Sequence, residues 1–279
     1  MPSIRASAMR ARGRRAVAAG VALLLALALA GAAAPLLAPD PSATDLETRL
    51  APPRAAHLLG QDGLGRDLLA RVLHGARVSL AVGASVVALS LLVGVPIGAA
   101  AGYLGGWFDE VVARVIDVLL AFPGLLLAIA LAAVLGPSVR NVVLALGVLG
   151  WTGYARLARA EIAALRRREF VEAAEALGAR PGRIVVRHLL PLAAPALVVQ
   201  ATFGLGGAIV AEASLSFLGL GAPPPLPSWG SMIYEGRPFL LVAPALVLWP
   251  GLALATAVLA LQLLGDGLRD LLDLHDAES

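Results

Sequence analysis

EAAEALGARPGRIVVRHLLP, residues 172–191, is a polar, Ala-rich insert between two long apolar runs, and how it is read decides the kind of protein. Across residues 162–179 strong helix formers (Ala, Leu, Arg, Glu) prevail and Pro is absent, so one helix is expected there. Phe170, Ala173 or Ala174, and Leu177 fall at i, i+3/i+4 and i+7 and share a face. Glu172 and Glu175 lie off the centre of that face. Gly178 can end the helix in the left-handed conformation without a Cβ penalty, and Pro181-Gly182 then breaks the chain. The expected product is a short helix with an exposed apolar strip, after which the chain bends back at residues 188–191. Such a helix suits a groove on another protein. It suits the headgroup surface of a membrane equally well. Residue chemistry alone leaves both readings open.

The flanks of the insert set the fold class. The chain has 279 residues, 59% hydrophobic and 15% charged, with a mean hydropathy of +0.83. A soluble domain is nearer to about half apolar and about a quarter charged, so the apolar surplus here must face lipid. A spanning helix needs about 20 apolar residues. The uncharged runs supply six, at roughly 17–37, 78–101, 118–138, 141–160, 192–217 and 241–264. The expectation is therefore an all-α polytopic membrane protein of about six spans. Run 141–160 is the weakest, because Arg156 and Arg159 intrude and must snorkel to the interface. Pro96, Pro123, Pro195, Pro244 and Pro250 fall inside runs, which membrane helices tolerate when neighbours satisfy the freed carbonyls. Abundant Gly and Ala favour close backbone contact and a packed bundle.

Orientation follows from the basic residues, all 22 of which are Arg. Five (Arg5, Arg10, Arg12, Arg14, Arg15) precede the first run. Eight (Arg156, Arg159, Arg166, Arg167, Arg168, Arg180, Arg183, Arg187) lie around and after the fourth. With Arg114 and Arg269, an N-in, C-in arrangement puts fifteen Arg inside and seven outside. The segments are then a cytoplasmic N-terminus (1–16), a first helix (17–37), an extracytoplasmic loop (38–75), a transmembrane domain (76–265) with its cytoplasmic loop 161–191, and a cytoplasmic C-terminus (266–279). The uncharged run 16–39 exceeds the roughly 7–15 residues of a signal-peptide core, so the first helix is expected to be an uncleaved signal-anchor.

Composition also excludes chemistries. There is no Cys, hence no disulfide framework or thiolate metal site. His57, His74, His188 and His275 have no ligand spacing, so no metal site is expected. Net charge is +3 and aromatics are 5%, short of the basic, aromatic-laced stripe that nucleic acid requires. No GxxxxGK[ST] motif occurs, so ATP does not bind here through a P-loop. No nucleophile–base pair or carboxylate pair stands out, and no catalytic residue is expected.

Two further stretches merit attention. Residues 57–67, HLLGQDGLGRD, combine a Gly-rich turn with a following amphipathic segment (Leu68, Leu69, Val72, Leu73), which alone reads as an interfacial helix entering the second span. Glu212 is a lone carboxylate deep in run 192–217. An ionisable group at membrane depth is a functional candidate; the plainer reading is a structural partner for an Arg or a backbone group near the outer face.

The residues now carry a resemblance. EAA, then Gly178 four residues after the last Ala, then Leu190-Pro191, resembles the EAA loop of membrane subunits of bacterial ATP-binding-cassette importers. Residues 58–67 with Gly75, Arg77, Ser79 and Leu80 are similar to a signature (LGTD, GRD, G-R-SL) of the dipeptide/oligopeptide/nickel permeases, with Gln61 where Thr is usual. GYLGGWFD (102–109), AFP (121–123), EASLSFLGLG (212–221) and PSWG (227–230) agree, and together these strings cover most of residues 57–265. They point to the C-type permease of a pair.

The resemblance implies a type I importer transmembrane fold in the bacterial inner membrane. It implies a heterodimer with a homologous permease, two ATP-binding subunits and an extracytoplasmic solute-binding protein. This chain would hold no cofactor, ATP and Mg residing on the partner subunits. Phe170, Glu172, Ala173, Ala174, Leu177, Gly178 and Pro191 would form the ATPase-docking loop. Gly60, Asp62, Gly65, Arg66 and Asp67 become candidates for contact with the binding protein, and Glu212 for the translocation path or an intramembrane structural role. The alternative is a self-sufficient secondary carrier or channel. That would need several intramembrane ionisable groups, and Glu212 is nearly alone.

Overall fold

The computed structural model describes residues 2–37 and 40–276. Met1, residues 38–39 and residues 277–279, which belong to the expected tails and to the start of the expected outer loop, lie outside the described residues, as do the side chains of 2–10 and 273–276. The described residues are helical apart from turns and two isolated β-bridges. In chain order the helices are α1 (Pro2–Leu37), α2 (Leu68–Leu104), α3 (Gly106–Leu120), α4 (Gly124–Leu135), α5 (Val139–Leu165), α6 (Glu169–Ala176), α7 (Pro181–Ile184), α8 (Leu190–Phe217), α9 (Trp229–Gly236) and α10 (Ala245–Asp276).

Small residues decide how the long helices meet. Gly94, Gly98 and Gly102 form one stripe of α2 at four-residue spacing. A Cβ on each would lie 2.4, 2.1 and 2.4 Å from the carbonyl oxygens of Trp151, Ala155 and Arg159, successive turns of α5. Only Gly lets two backbones approach so closely, and in lipid such contact replaces the missing hydrophobic drive. The paired numbers rise together, so α5 runs parallel to α2. Gly20 of α1 likewise faces the Ala260 carbonyl of α10, and Gly267 faces that of Gly13.

These pairings fix the two ends of the bundle. Gly13 lies beside Asp270, so the start of α1 and the end of α10 share an end. Gly31 lies beside Arg77, so α2 starts at the opposite end and finishes, at Leu104, towards the end shared by the start of α1 and the end of α10. Residues 40–67 and α9 occupy the end where α2 begins. Loop 161–191 occupies the other, with the start of α1 and the end of α10; following the expected orientation, these are called the outer and the inner end.

Several boundaries differ from expectation. Run 118–138 is not one helix: α3 and α4 meet at 83°. Pro123 is the N-cap residue of α4; proline lacks an N–H and disfavours helix at the preceding Phe122, so the chain turns there. Four helical stretches are long and apolar enough to cross a membrane (Ala11–Leu37, Leu68–Leu104, Pro181–Phe217, Ala245–Leu272), or five if the bent pair counts as one. The expected count of six is not reached on that measure. Its sixth member is α5, which has 27 residues but is made more polar by Arg140, Asn141, Arg156 and Arg159. The amphipathic segment after Asp67 is continuous with the second span and not a separate helix. Asp67 caps it, accepting from Ala70 N–H at 2.6 Å.

Candidate functional site

At the inner end, the single helix expected over 162–179 is broken. α5 ends at Leu165, residues 166–168 form a turn, and α6 restarts at Glu169. Arg166 causes the break to be held: its guanidinium donates to the Tyr103 carbonyl and stacks 5.0 Å over the Tyr103 ring. The Tyr103 hydroxyl then donates to Glu175 Oε1 at 2.8 Å. One aromatic residue at the end of α2 thus holds both the end of α5 and the helix beyond it. Nearby, Arg159 of α5 makes a two-pronged ion pair with Asp109 of α3.

α6 has two faces. Val171 is 1% exposed and packs with Ile162, Ile184, Leu189 and the ring of Tyr103, and Ala174 borders the same cluster. Phe170, Glu172, Ala173 and Leu177 are exposed, Leu177 at 89%. The strip Phe170, Ala173, Leu177 read from the sequence is therefore the outward face, with Ala174 on its edge. Val171, the anchor, was missed because a lone Val beside the Phe carries no periodic signal in an 8-residue helix.

The end of α6 is a Schellman motif. Gly178 adopts φ +80°, its N–H donates to the Glu175 carbonyl at 2.9 Å, and Ala179 N–H donates to the Ala174 carbonyl at 3.0 Å. No atom lies within 4 Å of where a Gly178 Cβ would stand, so the turn is open to solvent. Pro181 then begins α7 at its first position. The bend expected at 188–191 is absent. Residues 185–189 form a π-helical turn, with Leu190 N–H donating to the Val185 carbonyl, that runs straight into α8. Pro191 explains it: its ring crowds the carbonyl four residues back, and a wider turn relieves the clash.

At the outer end, residues 57–67 fold inward. Asp62 (7% exposed) accepts from the backbone N–H of Leu64 and Arg66 and from Arg66 Nε at 2.7 Å, with Arg71 Nε at 3.5 Å. Arg66 and Arg71 both donate to Glu235 of α9. Glu235 lies too far along the chain for any local pattern to reveal it. His57 Nδ1 and Asp67 Oδ2 are hydrogen-bonded at 2.7 Å. Gln61 donates to the Gly65 carbonyl at 2.7 Å and accepts from Arg54 at 3.1 Å. Gly60 (φ +83°) and Gly65 (φ +73°) have no alternative residue: a Cβ at Gly65 would sit 1.8 Å from the Asp45 carbonyl oxygen. These five candidate residues are thus buried or in the turn backbone and hold the segment's shape against α9. The surface they shape carries exposed Leu46, Leu58 and Leu64.

Glu212 is 2% exposed and surrounded by hydroxyls. Ser216 donates to it at 2.6 Å and Ser79 of α2 at 3.2 Å. Ser228, the N-cap of α9, donates to Ser216 at 3.3 Å, and Trp229 N–H donates to Ser79 at 3.2 Å. Its partners are serines and not an Arg. The carboxylate ties α8, α2 and α9 together beneath the outer segment.

Comparison with known proteins fits this layout. Residues 94–275 match the family described as binding-protein-dependent transport system inner membrane components. The chain is 43% identical over 255 residues to the dipeptide transport system permease protein of Alkalihalophilus pseudofirmus, covering 91% of this chain and 84% of that one. It is 44% identical over 259 residues to the glutathione transport system permease protein of Pectobacterium atrosepticum, covering 92% and 86%.

Proposed function

The chain belongs to the family of binding-protein-dependent transport system inner membrane components, transport permeases of the bacterial inner membrane, and on that premise we propose that it forms, with a second permease, the pathway of an ATP-driven importer of short peptides. Peptide cargo is supported by the relatives, which are named for dipeptide and glutathione transport. A self-sufficient carrier does not fit a family defined by dependence on a binding protein.

The observation that carries the docking role is the exposed strip of α6 on an anchored helix. Val171 and the Tyr103–Glu175 bond fix the helix, while Phe170, Ala173, Leu177 and the open Gly178 turn face outward. In this reading two ATP-binding subunits drive transport, one of them receiving this loop. Burying Phe170 there would contribute about 2–3 kcal/mol, and Glu172 would add a polar contact. Closure of the ATPases pushes α6, and α6 pulls on α2 through Tyr103 and on α8 through the π-helical turn. ATP supplies the bias between states by binding the closed dimer better. Pro191 acts by shaping that turn.

The outer segment is read as the surface for an extracytoplasmic binding protein. Gly60, Asp62, Gly65, Arg66 and Asp67 act by holding its shape, and Glu212 keeps it seated on the spans. The chain itself holds no cofactor in this reading; ATP and Mg sit on the partners. The test is reconstitution: this chain with the second permease, the ATPases and the binding protein from its operon, in proteoliposomes supplied with trialanine and ATP. Uptake that requires every component is expected. Uptake by this chain alone under an ion gradient would refute the reading.

A further inference from the structure

A cavity of about 340 Å³ opens between α2, α4, α5 and α8. Its lining includes Ser90, Tyr154 and Gln200 among Gly150, Gly204 and Gly207, and no charged residue. Tyr154 and Gly204 lie near the midpoints of α5 and α8, so the cavity sits at mid-depth of the spans. Tyr154 is 5% exposed, yet its hydroxyl has no hydrogen-bond partner. The hydroxyl rests against Gly204, where a Cβ would come within 2.1 Å of it. Ser90 has only a long bond, 3.4 Å, to the Gly147 carbonyl. Gln200 is exposed, and its amide bonds to no described residue.

Two neutral hydrogen-bonding groups left unsatisfied on one cavity, Tyr154 and Gln200, beside a Ser90 held by one long bond, run against the rule for membrane interiors, where such groups find partners or line water. Lipid cannot satisfy Gln200, and a lone unpaired hydroxyl costs about 1–3 kcal/mol. Gly204 and Gly150 seat the hydroxyls of Tyr154 and Ser90, while nothing lies within 4 Å of where a Gly207 Cβ would stand, which leaves that part of the wall open for a backbone to lie against.

We infer that this cavity is the chain's contact with the transported solute, and that Ser90, Tyr154 and Gln200 recognise the amide N–H and C=O groups of a peptide backbone. With no charge on the lining, charged peptide ends find no counter-ion here, so recognition falls on the amides that all short peptides share. The inference rests on the reading of the chain as a peptide permease.

The chain has no Cys, so single-cysteine variants each report one position. In the reconstituted importer, Gln200→Cys is expected to react with a membrane-impermeant maleimide much faster than Leu92→Cys, a position 74% exposed on the outside of α2, and trialanine delivered by the binding protein should slow that reaction. Tyr154→Phe and Gln200→Leu should each lower trialanine uptake about 5–10-fold, the loss of one hydrogen bond, with the assembled complex present at wild-type amount. Gln200→Cys labelling no faster than Leu92→Cys, or uptake unchanged in both variants, would overturn the inference while wild-type uptake keeps the peptide reading intact. Failure of the wild-type importer to take up trialanine would instead remove the peptide reading, and this inference with it.

Discussion

The hydroxyl of Tyr103, in the last turn of α2, donates a 2.8 Å hydrogen bond to Glu175 of α6, seventy-two residues further along the chain. It joins a long span to the helix that the proposed function places against an ATP-binding subunit. Tyr103→Phe keeps the ring under Arg166 and removes only this bond. The part-buried bond itself is worth about 1 kcal/mol. Trialanine uptake should fall several-fold while expression and membrane insertion stay normal, and trypsin should cut faster at Arg183. Wild-type uptake together with wild-type cleavage would show that the link carries nothing.

The α2–α5 contact makes a sharper stability prediction. A Cβ at Gly98 would lie 2.1 Å from a backbone carbonyl that cannot step aside. Gly98→Leu should therefore force the helices apart and cost well over the ~1–3 kcal/mol of ordinary overpacking, seen as a large drop in thermal midpoint in detergent. Gly251→Ala is the control. No atom lies within 4 Å of its Cβ, and helix propensity alone should make it neutral or stabilising by up to about 1 kcal/mol.

The outer cluster should behave as a buried charge network. Arg71 is 2% exposed and bonds Glu235 at 2.9 Å. Arg71→Met leaves Asp62 and Glu235 sharing Arg66 alone, at a cost of about 3 kcal/mol. Adding Glu235→Leu removes the surplus carboxylate and should restore a good part of that loss, as a double-mutant cycle on the thermal midpoint would report. Additive losses would mean that Glu235 does not balance Arg71.

Much of this was legible in the sequence, and the rest was not for identifiable reasons. Apolar run length placed the long helices, because lipid imposes one length scale. Gly178 was legible as a C-terminal glycine, since few residues accept its conformation. The 83° bend at Pro123 was not, because an apolar run reads the same whether it is straight or folded. Break 166–168 was hidden for a related reason: each residue there favours helix, and only the contact of Arg166 with Tyr103 overrides that preference. Residues 60–67 carry polar side chains that look like a contact surface, yet they point inward. Their partner Glu235 comes from a distant segment, and no spacing rule reaches across that distance.

Gly178 separates fold from docking. Its φ of +80° disfavours any side chain by roughly 1–2 kcal/mol, but nothing in this chain would clash with one. Gly178→Trp is thus expected to insert and fold, and to abolish ATP-driven uptake by blocking the partner. Gly178→Asn, which tolerates the same conformation, should retain much of the activity. Full activity in Gly178→Trp would contradict docking at this turn.

The central claim, that the outward strip of α6 seats an ATPase subunit, is tested most directly by a single cysteine. Leu177 is 89% exposed and follows α6 directly, just before the open turn. In the assembled importer, Leu177→Cys carrying a short photoactivatable crosslinker should join the ATP-binding subunit on illumination, more efficiently than Leu92→Cys, and the yield should change when vanadate traps the ATPases closed. Crosslinking to lipid alone, at a yield that vanadate does not alter, would contradict the account and return α6 to the membrane surface.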